Sequence, residues 1–305
     1  MVRIDSTACD ALIHPPTDST LLWDGVRVMA RLLETAAALP GGSTVTWHNH
    51  KRLAKKRTMA IKYSRGKDKK AILYKDLIAA TQAMAGFVRR FAQTLDDSIK
   101  SAAWRLEAEH YLPLIERVID QTRRRVFNGE TVPAGDKLVS LFEPHADIIV
   151  KSRRSVQYGH KLNLTTGKSG MILDSVVEDG NPADAARFVP MLERHIAVYD
   201  AAPRQTAADA GYASHENLQR AKKMGVNDVA FHRKCGIKIE NMTRNRRIYR
   251  TLRNFRAGIE AGISCLKRAY GLARCTWRGI EHFKSYVWSC VVANNLVIFA
   301  RLKPT

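Results

Sequence analysis

Three acidic residues occupy positions from which carboxylates can converge on a metal ion. Asp5 lies in the first apolar segment, Asp209 ends a later one, and Glu260 lies in a long helical segment. Divalent cations such as Mg²⁺ bind hard oxygen donors. Two such ions, about 3.5–4 Å apart, activate an attacking water or hydroxyl and stabilise the leaving oxygen in phosphoryl transfer. The pattern favours this chemistry; taken singly, each acid has surface charge or helix capping as its alternative.

The segment around Glu260 places this acid between two bases. At about 100° per residue, Glu260 and Lys267 fall within roughly 40° of Arg256 around the helix, beside an apolar face that contains Ile259 and Leu266. We interpret this stripe as a metal-binding carboxylate flanked by cations that contact DNA phosphates. The alternative is a structural stripe of Glu–Lys pairs on the solvent side.

The charge balance indicates a polyanionic partner. The 305 residues include 50 Lys and Arg against 29 Asp and Glu, which gives a formal net charge of +21. A basic surface attracts DNA, RNA or an acidic membrane, and the phosphate contribution does not depend on sequence. Two basic clusters, within 51–75 and 244–256, favour DNA contact over a solvated linker or a charged helix face. Besides Arg256 and Lys267, the predicted DNA-binding residues are Lys51, Arg52, Lys55, Lys56, Arg57, Arg250 and Arg253.

The order of elements predicts an α/β fold with a mixed sheet flanked by helices. A strand at 2–7 precedes a proline-containing turn, in which Asp18 or Ser19 is expected to cap a helix. A helical period follows to about residue 142, with amphipathic helices at 77–95 and 106–126. From residue 147 the period becomes two. The predicted strands and helices then lie at 158–165, 171–177, 183–199, 205–209, 214–223, 227–232, 246–270 and 283–301.

This order divides the chain into three parts. Residues 1–20 form the first strand and turn of the core, and residues 21–142 form a large basic helical insertion. Residues 143–305 form the remainder of the core and the C-terminal helices. The apolar stretch at 287–300, interrupted by Ser289, Asn294 and Asn295, is too short to span a membrane and predicts a buried core helix.

The start of the sequence lacks the apolar region of a signal peptide, so we expect a cytoplasmic protein. The five cysteines show no C-x-x-C spacing, and we expect them to be reduced, with no zinc site or disulfide framework.

Five segments, in this order, resemble DDE transposases of bacterial insertion sequences, most closely the ISNCY-type group. They are Val2–Thr7, Ile13–Leu22, Tyr158–Lys161, Ala208–Ser214 and Arg256–Arg268. The resemblance covers nearly the whole chain. It implies an RNase H-like catalytic core in which Asp5, Asp209 and Glu260 form the catalytic, metal-binding triad.

The same resemblance implies a mechanism and partners. Such enzymes use Mg²⁺ or Mn²⁺, here expected as two ions, to hydrolyse a phosphodiester at the end of the element. The freed 3′-hydroxyl then attacks target DNA. The implied partners are double-stranded DNA, at the terminal inverted repeats and at the target, and further copies of the chain in a synaptic complex. No membrane is implied, and the expected location is the nucleoid within the cytoplasm.

The family motif R-x3-E-x6-K is met by Arg256, Glu260 and Lys267, although Arg253 stands where a tyrosine often precedes the arginine. Relatives carry a helix-turn-helix region before the first aspartate, so we expect this chain to lack that region and to recognise terminal repeats poorly. Two other functions stay open: a non-catalytic DNA-binding transposase fragment and an RNase H-like nuclease.

Three further groups have competing interpretations. His48 and His50 flank Asn49 as in HNH nucleases, but the basic helical setting disfavours a nuclease site there. His160 either approaches the active site or packs in the core. Asp18 either caps a helix or lies near the metal ions, and capping is favoured.

Overall fold

The computed structural model describes residues 1–152, 155–232 and 236–302. It contains two compact units. The sheet unit comprises Met1–Leu12 and Asp147–Thr305, and the helical unit comprises Ile13–Ala146.

The strands of the sheet unit are β1 (Val2–Asp10), β2 (Asp147–Ser152), β3 (Ser155–Gly167), β4 (Ile172–Val177), β5 (Gln205–Ala208) and β6 (Asp228–Phe231). The helices of the chain are α1 (Asp18–Ala37), α2 (Lys51–Tyr63), α3 (Lys67–Thr94), α4 (Ile99–Val126), α5 (Asp184–Tyr199), α6 (His215–Lys223), α7 (Ile239–Met242), α8 (Arg246–Ala269) and α9 (Ile280–Arg301).

The described strands form one six-stranded sheet in the order β2-β3-β1-β5-β6, with β4 also paired to β3. Strand β1 is antiparallel to β3 and parallel to β5, and β5 is parallel to β6. A central strand between an antiparallel hairpin and two parallel strands, flanked by helices, is an RNase H-like arrangement. The predicted fold class is therefore confirmed.

Strand β1 lies in the middle of the sheet because its apolar side chains face both layers. Ile4, Ala8 and Cys9 are fully buried, as expected for a strand covered on both faces. Gly159 on β3 allows the backbones to approach, since a Cβ atom there would lie 2.1 Å from the Cys9 carbonyl oxygen. This approach explains the glycine within the Tyr158–Lys161 segment.

The core around the parallel strands joins the sheet to helices α5 and α8. Ile4 packs in one cluster with Phe188 and Leu192 of α5 and with Leu252 of α8. Leu252 and Ile259 lie on the buried face of α8. Helix α8 is therefore held against the face of the sheet formed by β1, β5 and β6.

Helix α9 corrects one prediction. It was expected to be a buried core helix, but only one face is buried, while Trp288 and Leu296 on the other face are exposed. Asn295 fixes the helix to β4, because its side-chain amide donates to the Ile172 carbonyl (2.8 Å) and its oxygen accepts from the Ile172 N–H (2.9 Å). By length and composition alone, Ile280–Arg301 also meets the criteria for a helix that could cross a membrane.

The helical unit has its own apolar core, which includes Leu22, Met29 and Leu33 of α1, Phe91 of α3 and Trp104 of α4. The same cluster includes Ala54 and Ile61 of α2, so all four helices of this unit contribute to its core.

The start of α1 differs from the prediction in its capping residue. The N-cap is Thr17, which forms a reciprocal capping box with Thr20. Asp18 lies in the first turn and accepts from Arg125 at 2.9 and 3.0 Å. In the helical unit, Asp18 therefore forms an ion pair with Arg125 of α4 and does not cap α1.

Candidate active site

The parallel pairing of β1 and β5 brings two of the predicted site residues to neighbouring positions. The last paired residues are Ile4 of β1 and Ala208 of β5, and Asp5 and Asp209 are the residues that follow them in the sequence. The Asp5 side chain is 12% exposed and the Asp209 side chain 40% exposed. A short 3-10 turn, Ala210–Tyr212, follows Asp209 and turns the chain away at the strand end.

Helix α8 presents its side chains to these aspartates because Arg3 of β1 anchors it. The Arg3 guanidinium donates to the Phe255 carbonyl (2.6 Å) and to Thr166 Oγ1 (2.8 Å), and it lies 4.7 Å from the centre of the Phe255 ring. The asparagine at position 245 caps the start of the helix through its side chain. Arg256 and Glu260, one turn apart, consequently face the end of β5.

The three acids meet at the guanidinium of Arg256. Its Nη2 lies 3.0 Å from Asp5 Oδ2 and 3.4 Å from Asp209 Oδ2, and its Nη1 lies 2.9 Å from Glu260 Oε1. The Arg256 side chain is 8% exposed, whereas that of Glu260 is 69% exposed. We call Asp5, Asp209 and Glu260 the carboxylate cluster. Its members come from β1, from the end of β5 and from α8, with one buried cation between them.

Burial dominates the electrostatics of Asp5. It raises the pKa of the Asp5 carboxyl, and the Arg256 guanidinium and the Ser6 N–H, which donates at 2.8 Å, oppose the rise. Asp209 and Asp184 add to it, because nearby negative charges disfavour ionisation. The net effect is a pKa above the ordinary value of this carboxyl. A cation bound beside Asp5 would lower this pKa, because a nearby positive charge favours the ionised form.

The chemistry of the donors fits a hard divalent cation. All three are carboxylates on separate elements, and the point where they meet already attracts a positive charge. Within residues 1–152, 155–232 and 236–302, however, no three His, Cys, Asp or Glu side chains are close enough to hold a metal ion together. The three donors are therefore of the right type, but as they lie around Arg256 they are too far apart to hold one ion together.

A polar network beside the cluster includes residues that the sequence did not single out. Lys161 Nζ lies 2.6 Å from Asp184 Oδ1 at the start of α5 and donates to the Pro182 carbonyl. A Cβ atom on Gly211 would lie 2.8 Å from Asp184 Oδ2. Asp184 thus lies against the turn that follows Asp209. In the sequence, Asp184 stands out only as an acidic residue at the start of a helix.

A second branch of this network connects the turn Ala210–Tyr212 to the antiparallel strands β3 and β4. The Tyr212 hydroxyl donates to Asn163 Oδ1 (2.6 Å), and the Asn163 amide donates to Glu178 Oε1 (2.8 Å). Glu178 also accepts from Arg187. Burial raises the pKa of Tyr212 far above its usual range, so its hydroxyl stays protonated as a donor.

His160 is a packing residue in this structure. It is buried, its Nδ1 lies 3.1 Å from the Glu178 carbonyl oxygen and 3.2 Å from Asp147 Oδ2, and its ring meets that of Phe283 edge to face. These contacts favour the packing interpretation of His160.

The other basic residues predicted on α8 have different environments. Lys267 is half-buried, and burial lowers its pKa while Cys9 and Asp10 at the end of β1 raise it. Arg250 and Arg253 are exposed. The stripe predicted from the helical period therefore separates into a buried arginine, an exposed acid and a lysine beside the end of β1.

The basic residues predicted on α2 are mostly exposed. Lys51, Arg52, Lys55 and Lys56 face solvent, while Arg57 pairs with an aspartate of α3, Asp76, at 2.9 Å. The charge of Arg57 is thus partly neutralised within the helical unit.

A concave surface of about 460 Å³ lies beside α2. Its lining residues are Trp23, Arg27, Asn49, Lys51, Arg52 and Lys55. Arg27 lies over the Trp23 ring at 5.2 Å. We call this surface the α2 groove; its cations can attract phosphates. The rings of His48 and His50 contact each other edge to face at 4.9 Å.

Among the described residues, Cys9, Cys265 and Cys290 are free thiols. Cys9, Cys275 and Cys290 are buried and Cys265 is exposed; Cys235 lies outside the described residues. Burial raises the pKa of Cys9 to about 12, so this thiol is not a nucleophile at neutral pH.

Comparison with protein families identifies the family of this chain. The family model of the transposase DDE domain matches residues 142–296, just over half of the chain. This range contains Asp209 and Glu260. No curated protein and no solved structure matches the chain. The chain belongs to the transposase DDE domain family.

Proposed function

We propose that this chain is the catalytic domain of a DNA transposase that acts through Asp5, Asp209 and Glu260. The family supports a role in transposition and a polynucleotidyl transferase type of enzyme. The finer proposal is that the chain cleaves DNA strands at the ends of an element and joins the freed 3′-hydroxyl to target DNA. The assignment to the ISNCY-type group stays a prediction.

The observation that carries the proposal is the convergence of three carboxylates from separate elements on one cation. In this proposal they hold Mg²⁺ or Mn²⁺, expected as two ions. When bound, such ions activate the attacking hydroxyl and stabilise the leaving oxygen.

The three carboxylates differ in what they contribute. Asp5 is buried and its orientation is fixed by the Ser6 N–H, so it provides the rigid part of the site. Asp209 is held by the turn Ala210–Tyr212, which Tyr212 fixes to Asn163 and against which Asp184 lies. Glu260 is mostly exposed and supplies the carboxylate that can reorient. This combination places two donors rigidly and lets the third adjust to substrate.

DNA is the partner that we propose for the basic surfaces of each unit. In the helical unit, the α2 groove offers four cations, and Lys56 follows on the same helix. In the sheet unit, Arg250 and Arg253 are exposed on α8, and Lys267 lies further along it. We expect these residues to contact phosphates, which gives affinity without sequence specificity.

The first experiment measures nicking of supercoiled plasmid in Mg²⁺ or Mn²⁺. We expect the wild type to nick, and Asp209→Ala and Glu260→Ala to lose nicking while they retain DNA binding. The matched control is Glu281→Ala, which removes an exposed acid of α9 that pairs with Lys284. Normal nicking by either cluster variant would contradict the proposal.

A second experiment tests the DNA surface of the helical unit. Replacing Lys51, Arg52 and Lys55 together by Ala should weaken DNA binding and reduce the slope of log affinity against log salt by about 2–3. The control removes the same number of charges from arginines that are paired with carboxylates in the same unit: Arg31, Arg89 and Arg124. Equal effects of the two triple variants would argue against the α2 groove.

A second candidate function, a non-catalytic DNA-binding protein, is favoured by one observation: Arg256 already neutralises part of the carboxylate cluster. Salt-sensitive DNA binding without metal-dependent nicking by the wild type would support it. An RNase H-like nuclease would nick but would not join a 3′-end to a second DNA, so a strand-transfer assay with pre-cut ends separates it from a transposase.

The oligomeric synaptic complex also stays a prediction. Light scattering of the chain with and without DNA that carries the element ends would test it, and a monomer under both conditions would contradict it.

A further inference from the structure

We propose that Arg256 is a resident counter-cation of the carboxylate cluster and must leave it before Asp5, Asp209 and Glu260 can bind a divalent cation together. This inference rests on the proposed function, because it takes these carboxylates as the metal ligands. It differs from the prediction that Arg256 simply contacts DNA, since it assigns the residue a competing role within the metal site.

The first argument is geometric. One guanidinium lies within 3.4 Å of all three carboxylates: Nη2 is 3.0 Å from Asp5 and 3.4 Å from Asp209, and Nη1 is 2.9 Å from Glu260. A divalent cation holds oxygen ligands at about 2.0–2.6 Å. The carboxylates cannot close to these distances around an ion while the planar guanidinium stands between them.

The second argument is that Arg256 is incompletely satisfied where it lies. It is buried, and its Nε has no hydrogen-bond partner among the described residues. A buried donor without a partner costs free energy. The cluster therefore holds the guanidinium through charge, while one of its donors stays unpaired. A competing cation needs to displace only the two terminal nitrogens.

The third argument concerns the route out. Glu260 is 69% exposed and Asp209 is 40% exposed, so the cluster opens towards solvent on their side. A DNA phosphate approaching there would offer Arg256 a bidentate anionic partner in place of the carboxylates. Substrate binding would then favour metal binding, and by reciprocity metal would favour substrate.

The test measures Mn²⁺ binding to the full chain without DNA, by the loss of the free Mn²⁺ electron paramagnetic resonance signal. Arg256→Met removes the competing charge and keeps much of the side-chain volume. We expect it to bind Mn²⁺ on the order of 5–150-fold more tightly than the wild type, the usual range for coupled sites. Adding Asp5→Asn to this variant should abolish the gain, which locates the ion at the cluster.

The matched control is Arg268→Met, which removes the same charge from an exposed position in the last turn of the same helix. It should leave Mn²⁺ affinity nearly unchanged, because solvent and salt screen an exposed charge. Circular dichroism checks that each variant is folded.

If Arg256→Met does not fold, Arg256→Lys replaces it. An ammonium lacks the planar fork that reaches three carboxylates, so this variant should bind Mn²⁺ more tightly than the wild type. Equal or weaker Mn²⁺ binding by the folded variants, with Asp5 still required, would overturn the inference and leave the proposed function intact. No Mn²⁺ binding by any of these proteins would overturn both.

Discussion

Gly258 of α8 lies against the anchor that holds this helix to β1, and its replacement tests that anchor. A Cβ atom at position 258 would lie 2.6 Å from Nη1 of Arg3. The Arg3 guanidinium is buried, with hydrogen bonds to the Phe255 carbonyl and Thr166 Oγ1. Gly258→Ala should therefore displace Arg3, and Gly262→Ala, with nothing within 4 Å of its Cβ, serves as the control.

The expected magnitudes follow from two opposing effects. Alanine in place of glycine within a helix stabilises by about 0.8–1.0 kcal/mol at either position. At position 258, displacing Arg3 costs hydrogen bonds from a charged donor, which are worth about 1.5–3 kcal/mol each, and part of this is regained by new contacts. We expect Gly258→Ala to be destabilised by about 1–2 kcal/mol and Gly262→Ala to be stabilised by about 1 kcal/mol.

Urea unfolding followed by circular dichroism measures both free energies. In a domain of this size, each kcal/mol shifts the melting temperature by about 2–4 °C, so the two variants should melt on opposite sides of the wild type. Equal stabilisation by both alanines would refute the reasoning, because it would show that Arg3 gives way freely and does not anchor α8.

Three further predictions concern the sheet unit. Gly211→Ala should reduce metal-dependent nicking by on the order of tenfold or more with DNA binding unchanged, because its Cβ would lie 2.8 Å from Asp184 and shift the turn of the site; wild-type nicking would contradict it. Arg244→Met should destabilise by about 3 kcal/mol, as measured in urea, because it leaves the fully buried Asp228 carboxylate without its cation. Asp228→Asn should cost less, because it removes the buried charge itself; a smaller cost for Arg244→Met than for Asp228→Asn would argue against this ion pair. Mn²⁺ affinity, measured by titration, should fall as the pH is lowered. The fall should begin above the ordinary aspartate pKa of about 3.9, because the raised pKa of Asp5 means that this ligand is protonated at a higher pH than an ordinary aspartate. A loss of affinity only below that pH would contradict the assignment of Asp5 as a ligand.

Much of the sheet could be predicted because its strands are short alternating or apolar segments that end at turn residues. The predicted strand at 158–165 lies within β3, and the predicted strands at 205–209 and 227–232 contain β5 and β6. Helix α3 was predicted from residue 77 but begins at Lys67. Its first turns bury few side chains, so they lack the apolar period from which a helix is recognised.

The helical period indicated which residues of α8 share a face, but not what their side chains reach. Arg256 and Glu260 fall close together around the helix, yet one is buried and the other is exposed. The partners of Arg256 lie on β1 and after β5, and a contact over about 250 residues leaves no local pattern. The same holds for Asp184, whose approach to Gly211 depends on how α5 packs. Nor does the helical period show that Gly258 lies against Arg3 whereas Gly262 has nothing within 4 Å of its Cβ position.

The central claim is that Asp5, Asp209 and Glu260 are the ligands of the catalytic metal. Anomalous X-ray diffraction from crystals of the chain soaked in Mn²⁺ tests it most directly, because the signal locates the ions without assuming activity. The account predicts an anomalous peak within coordination distance of all three carboxylates, with the Arg256 guanidinium moved away from them. A peak at another group of residues, or Arg256 still bridging the three carboxylates in crystals saturated with Mn²⁺, would contradict it.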